Sequence, residues 1–272
     1  MTRMERARQV LQYMLRPSIE DCLNLWFGKS EQTDSEIWNR FGADVVLASQ
    51  GHYDHWAFDT EHPRLLVALV ILLDQFPRNM YRDTARMYAN DARCRGLVKR
   101  ALRAGASECL QPVERVFLCL VLTHSEALED QHLCMQEWGH AIAELASDDP
   151  LNAFQDIFQR HAAVIRRFGR FPHRNKVLQR GSTAAEEDFL GNSAFRFDLP
   201  LTRRPDGAFD FAGTCGYGSS PAASASAASS LSDRPRCTRS CACAGPKATR
   251  EAASTCTRMA SSSGSNVMSR DS

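Results

Sequence analysis

Along most of this chain apolar residues recur at intervals of three and four, the spacing of one face of a helix. Val113, Val116, Phe117, Leu120 and Val121 form the clearest such stripe. Alternation of apolar and polar residues, the mark of a half-buried strand, never persists beyond a few positions. The run LLVALVILL at 65–73 is apolar on every side. It is about half the roughly 20 residues a membrane helix needs, and it predicts a helix buried in a core with no place in a membrane. The pattern predicts helices near 18–27, 34–49, 63–75, 84–103, 112–146 and 150–168, the fifth broken at THSE, 123–126.

Start and stop signals agree with this reading. Ser18 with Asp21 and Thr33 with Glu36 have the spacing in which a side-chain oxygen caps free amides and an acid three residues on reaches back. Ser182 and Thr183 stand similarly before Glu186 and Glu187. Phe76-Pro77 and Phe171-Pro172 should each end a helix, because proline lacks an amide proton and disfavours helix in the residue before it. Helices joined by short Gly- or Pro-containing turns imply an all-α fold of successive antiparallel pairs, either a bundle or a stacked solenoid. No thirty-four-residue repeat is present. The one internal echo is QFPRN at 75–79 against RFGRFPHRN at 167–175.

Composition changes the picture near residue 213. Beyond it Ser, Ala, Arg and Cys dominate, Phe, Trp and Ile are absent, and Leu231 is the only leucine. Such a segment buries too little apolar surface to offset its ordering entropy. The expected organisation is an N-terminal extension over 1–16, a helical domain over 17–200 and a low-complexity, disordered tail over 201–272. The net charge of +1 conceals an acidic body and a basic tail: residues 213–272 carry seven Lys/Arg against three Asp/Glu, the first 212 twenty-six against twenty-nine. An acidic body without a recognition motif argues against a nucleic-acid partner. The first sixteen residues hold four Arg and one Glu, with Met4, Ala7, Leu11, Met14 and Leu15 on one face. They read as a leading surface helix of a cytoplasmic protein or, alternatively, as a mitochondrial presequence. Cys22, Cys94, Cys109, Cys119 and Cys134 sit among apolar helical positions, as reduced, packed thiols do.

Several blocks together resemble the uncharacterised family catalogued as domain of unknown function 924: WFG (26–28), LLDQFPRNMYRDTARMYANDA (72–92), RVFLCLVLTHSEALEDQ (115–131) and RHAAVIRRFGRFPHRNKVLQRGSTAAEEDFL (160–190). The resemblance runs from about Ile19 to Leu190. It implies a tetratricopeptide-like, all-helical fold of stacked antiparallel helix pairs, and no established activity. Where that family typically has Leu-Gly-Arg-Glu-Ser-Thr this chain has LQRGST, so Gln179 and Gly181 alter the turn before the last family helix.

The chemistry-bearing residues gather at the predicted breaks. His124, Ser125 and Glu126 are adjacent, and neighbours on a helix point about 100° apart, so they form no relay among themselves. Ser125 lacks the strand-to-helix elbow of a hydrolase nucleophile. His52 and His55, and His132 and His140, lack partners at metal-ligand spacing, and the tail's Cys237, Cys241 and Cys243 lack a second ligand pair. No cofactor is implied. Arg78, His124, Glu126, Arg170, His173 and Arg174 are expected to converge as a cleft for an anion, since the arginine fork matches carboxylate and phosphate. A buried network pairing these arginines with Asp74, Glu126 or Asp83 would use the same residues structurally. Two functions follow. One is a helical-repeat binding or scaffold protein that takes a peptide segment of a partner. The other is an enzyme or sensor for a small anionic ligand.

Overall fold

The structure, a computed structural model, describes residues 2–191, together with a two-residue antiparallel pairing of β1 (Thr202–Arg203) with β2 (Phe209–Asp210). The chain divides into units 1–236 and 237–272, the second lying wholly outside the described residues. The disordered tail expected over 201–272 likewise falls outside them, apart from the two short strands. The described body is all-α, with helices α1 (Arg3–Met14), α2 (Ile19–Phe27), α3 (Glu31–Ser49), α4 (Arg64–Val70), α5 (Phe76–Met80), α6 (Asp91–Arg103), α7 (Pro112–Thr123), α8 (Leu128–Ile142), α9 (Phe154–Phe168) and α10 (Ala184–Gly191).

Two helices apolar all round form the centre, as complete burial requires. Every residue from Leu65 to Phe76 is buried, and so is every residue from Glu114 to Thr123. α4 and α7 pack against each other, and α7, α8 and α9 pack in succession. Aromatic rings fill the space between elements: Phe154 meets Trp26, Phe27, Trp138 and Phe158 with centroids 5.8–6.2 Å apart. Phe76 stacks on Phe41 at 4.8 Å. Among the described residues no helix is long and apolar enough to cross a membrane. The five cysteines expected to be thiols are free, and all but the half-buried Cys109 are buried.

Several boundaries differ from expectation. The first sixteen residues are not an extension: α1 contributes Ala7, Val10, Leu11, Tyr13 and Met14 to the main core and packs on α4. Its apolar stripe is met by a partner surface that no local pattern reveals. α3 starts three residues early because Ser30 is the N-cap, its hydroxyl accepting the amide of Thr33. The span 84–103 is a 3₁₀ turn, Ala85–Tyr88, followed by α6. THSE does break its helix, with His124 as the C-cap of α7.

The two Phe-Pro pairs behave differently. At Phe171-Pro172 the expectation holds. α9 closes at Gly169, whose φ of 69° supplies the left-handed cap, and a 3₁₀ turn over Pro172–Arg174 follows. At Phe76-Pro77 the helix runs on, because α4 and α5 are joined by a π-helical turn, Ile71–Gln75, in which the Phe76 amide bonds the Ile71 carbonyl five residues back. The widened turn relieves the clash between a proline ring and the carbonyl four residues behind it, which in a regular helix would force a break.

Candidate functional site

Asp74 lies in that π turn with no solvent exposure. Two groups hydrogen-bond its carboxylate and a third pairs with it as a cation. Gln75 reaches one oxygen at 2.6 Å, the Arg78 Nη1 lies 3.1 Å from the other, and the His124 Nδ1 is 3.0 Å from both. Burial alone would raise the Asp74 carboxyl, but the charge of Arg78 and the hydrogen bonds from His124 and Gln75 outweigh it and hold it at about 2. A carboxylate accepts only, so the His124 Nδ1 carries a proton, and in the neutral ring Nε2 then presents a lone pair. Burial and then the Arg78 charge push the His124 pKa down, against the pull of Asp74, and so favour the neutral imidazole.

Arg78 is saturated. Its Nη1 donates to the Asp74 carbonyl at 2.6 Å, and Nη1 and Nη2 reach the two oxygens of Asp91 at 3.2 and 3.0 Å. Asp91 opens α6, where a carboxylate also suits the positive end of the helix. Arg174, carried by the 3₁₀ turn, approaches the same Asp91 carboxylate only to 3.7 Å. Its guanidinium lies 4.6 Å from the ring centroids of both Tyr88 and Phe171. Arg174 is 7% exposed, and among the described residues its Nε has no hydrogen-bond partner. Burial and then Arg78 lower its pKa from the usual arginine value, with Asp91 opposing.

Histidines close the circuit. The His161 ring on α9 is 6.4 Å from that of His124 and 5.7 Å from Phe171. Its Nδ1 donates to the Ile157 carbonyl at 2.8 Å, and burial drives its pKa down to about 3. His173 stands 5.5 Å from Phe171, ring to ring. The side chains thus run His124, Asp74, Arg78, Asp91, Arg174, Phe171, His161 and back to His124.

Of the six residues singled out by sequence, Arg78, His124, His173 and Arg174 are members of this circuit or touch it. Glu126 flanks it. Its Oε1 accepts the Phe171 amide at 2.8 Å, and its carboxylate takes both terminal nitrogens of Arg180 at 2.8 and 3.0 Å. Burial would raise the Glu126 pKa, but Arg180 and the Phe171 amide lower it. Arg170 is committed elsewhere, to both oxygens of Glu186 at 2.7 and 2.8 Å and to the Gly181 carbonyl, which clamps α10 to the turn. Arg170 holds the Glu186 carboxyl at about 2. Arg82 pairs with Asp34 on α3 and takes no part in the circuit. Tyr88, Asp91, Arg180 and Glu186 were missed by sequence reasoning. Asp91 had one available signal, its place among the first residues of a helix directly after Asn90. Among the described residues no group of three or more His, Cys, Asp or Glu side chains is arranged to hold a metal ion.

A separate groove of about 400 Å³ runs between α1 and the start of α4, lined by Met4, Leu11, Leu15, Leu65, Arg8 and Arg64. Arg64 is already paired with Glu114 at 2.5 Å. Among the described residues the groove lining has no buried, unsatisfied polar atom, so the chemistry points to the circuit instead.

A family described as "Bacterial protein of unknown function (DUF924)" matches residues 10–194. A similar solved structure is titled "Structure of Protein of Unknown Function ATU0120 from Agrobacterium tumefaciens", with a TM-score of 0.59 and 28% identity, over 70% of this chain and 98% of that one. A search of curated proteins returns no significant match.

Proposed function

Because this chain belongs to the DUF924 family of bacterial proteins, whose description assigns no activity, we propose from the site's own geometry that it binds a small oxyanion at Arg174. The observation that carries this reading is the incomplete satisfaction of that arginine. Burying a guanidinium costs several kcal/mol unless close pairing offsets it. Arg78 already makes the two short bonds to Asp91, and the remaining 3.7 Å contact leaves Arg174 a poor ion pair. Stacking between Tyr88 and Phe171 returns on the order of 2 kcal/mol per ring when desolvated, and it fixes the guanidinium plane without using its donors. What is left is a preorganised planar fork, the geometry that receives a carboxylate or phosphate.

Arg174→Ala tests the reading. The variant should keep its helicity and melt within a few degrees of the wild type, while losing the stabilisation that small carboxylates or phosphates confer on the wild type in a thermal-shift panel. Arg174→Lys keeps the charge but loses the fork, and should bind such anions more weakly. If no anion stabilises the wild type and Arg174→Ala loses about 3–5 kcal/mol, Arg174 is a structural partner and the reading fails.

The scaffold reading, with tetratricopeptide-like stacking and a peptide partner, draws support only from individually exposed apolar side chains. α3 leaves Trp38, Val46 and Leu47 between 37% and 50% exposed. Spread around the helix in this way, they weigh little, because a partner surface needs a contiguous apolar patch. The buried circuit is the more specific feature and carries the conclusion.

A further inference from the structure

Resting on the binding of an oxyanion at Arg174, we infer that the ligand also carries an O–H group, as a 2-hydroxy carboxylate or a hydrogen phosphate does, and that it donates this proton to the Nε2 of His124. Two features of the circuit point there.

The first is its charge. Asp74 and Asp91 are offset by Arg78 and Arg174, and Glu126 by Arg180, so the formal charges cancel before any ligand arrives. An incoming anion gains little from net charge, and its recognition rests on directed hydrogen bonds. The second is the arrangement of donors and acceptors. Arg174 supplies unused donors. On the other side of the circuit Asp74 fixes the proton of His124 on Nδ1 by accepting it through both oxygens at 3.0 Å, which turns a lone pair outward on Nε2. The His124 side chain keeps 16% exposure, and among the described residues its side-chain hydrogen bonds run through Nδ1 alone. His161 is fixed in the same tautomer by the Ile157 carbonyl, 6.4 Å away ring to ring. The circuit thus carries a donor at Arg174 and an acceptor at His124, linked through His161 and Phe171 on one side and Asp74, Arg78 and Asp91 on the other. Acetate or sulfate held by Arg174 and reaching His124 would set an oxygen lone pair against the imidazole lone pair. Glycolate or hydrogen phosphate places an O–H there. Sites built to receive a ligand hydroxyl reject the analogue lacking it by large factors, because the buried acceptor is then left unpaired.

Isothermal titration of the full chain at pH 7 with four probes separates the outcomes: glycolate against acetate, and inorganic phosphate against sulfate. We expect at least one O–H-bearing member to bind about tenfold or more tightly than its partner. Preference within the first pair identifies a hydroxy carboxylate site, and preference within the second a phosphate site. The preference should vanish in His124→Phe. Because that variant leaves Asp74 without one donor and its fold can suffer, the imidazole nitrogens of the wild type provide a second readout. Two-bond nitrogen–proton NMR correlation should show His124 protonated on Nδ1 alone, and the Nε2 signal should move on adding the preferred probe. Equal binding within both pairs, dependent on Arg174, would overturn the hydroxyl inference and leave the oxyanion site standing. No Arg174-dependent binding of any probe would overturn both.

Discussion

Phe76-Pro77-Arg78-Asn79 and Phe171-Pro172-His173-Arg174-Asn175 write nearly the same words ninety-five residues apart, and the structure uses them in opposite ways. In both, the phenylalanine is fully buried, and the asparagine ties the segment to a neighbour: Asn79 to Asp34 at 2.8 Å, and Asn175 to Arg180 at 3.0 Å and Ser182 at 3.1 Å. The first motif lies inside a helix made continuous by a π turn, and the terminal nitrogens of its arginine are bonded to Asp74 and Asp91. The second lies after a helix end, in a short turn held by Glu126 and Arg180, and its arginine is buried with donors to spare. Local sequence sets which groups are present at such a place. Whether an arginine builds the fold or awaits a ligand depends on how many acceptors the rest of the chain delivers.

The arginines should separate the two motifs most sharply. Arg78→Ala leaves Asp74 and Asp91 short of their main cation and is expected to cost about 3–5 kcal/mol in urea unfolding, whereas Arg174→Ala should cost about 1 kcal/mol or less. Equal losses would erase the distinction. The phenylalanines come next. Phe76→Ala opens a cavity in the main core beside Phe41 and Tyr13 and should cost about 3–5 kcal/mol of global stability. Phe171 belongs to a small cluster with Val164, Ile165 and Phe189, so Phe171→Ala should show as faster hydrogen exchange confined to about 160–191, with a smaller global loss.

Acid should also distinguish the two sides. His161, beside the second motif, has a folded pKa of about 3, below its unfolded value of about 6.5. Its neutral form therefore supports folding fully above about pH 6.5, and that support is lost as pH falls toward 3, at up to about 1.4 kcal/mol per pH unit. His124 shifts in the same direction and adds to the slope. Asp74, in the first motif, is depressed to about 2, so its contribution survives to about pH 4 and is lost only below that. Denaturant melts between pH 7 and 4 should show this slope, and His161→Gln should flatten it. The smallest effect lies in the turn after the second motif. Gln179 holds φ at 54°, a left-handed conformation that strains a side chain, at the position where the family pattern has glycine. Gln179→Gly should gain about 0.5–1 kcal/mol in the same melts. A loss there would mean that the Gln179 side chain stabilises the turn.

What the chain's own pattern determined is the all-α class, the buried helix at 65–73, the break at THSE and the caps at Ser18 and Thr183, because each depends on residues within a turn or two of one another. The hydroxyl of Thr183 accepts the Glu186 amide while Glu186 bonds back, as the spacing of the two residues implies. Tertiary structure decided the rest. α1 reads as a detachable amphipathic helix until α4 is placed against its stripe. Phe76-Pro77 reads as a stop signal because the π turn that accommodates the proline is stabilised by Asp74, whose buried carboxylate needs His124 fifty residues away. The partition of the six candidate site residues is of the same kind. Arg78, Arg170 and Arg174 are alike as sequence, but Asp91 and Glu186 reach the first two closely and leave the third at 3.7 Å, a difference set by how three distant segments pack and by nothing local to any arginine.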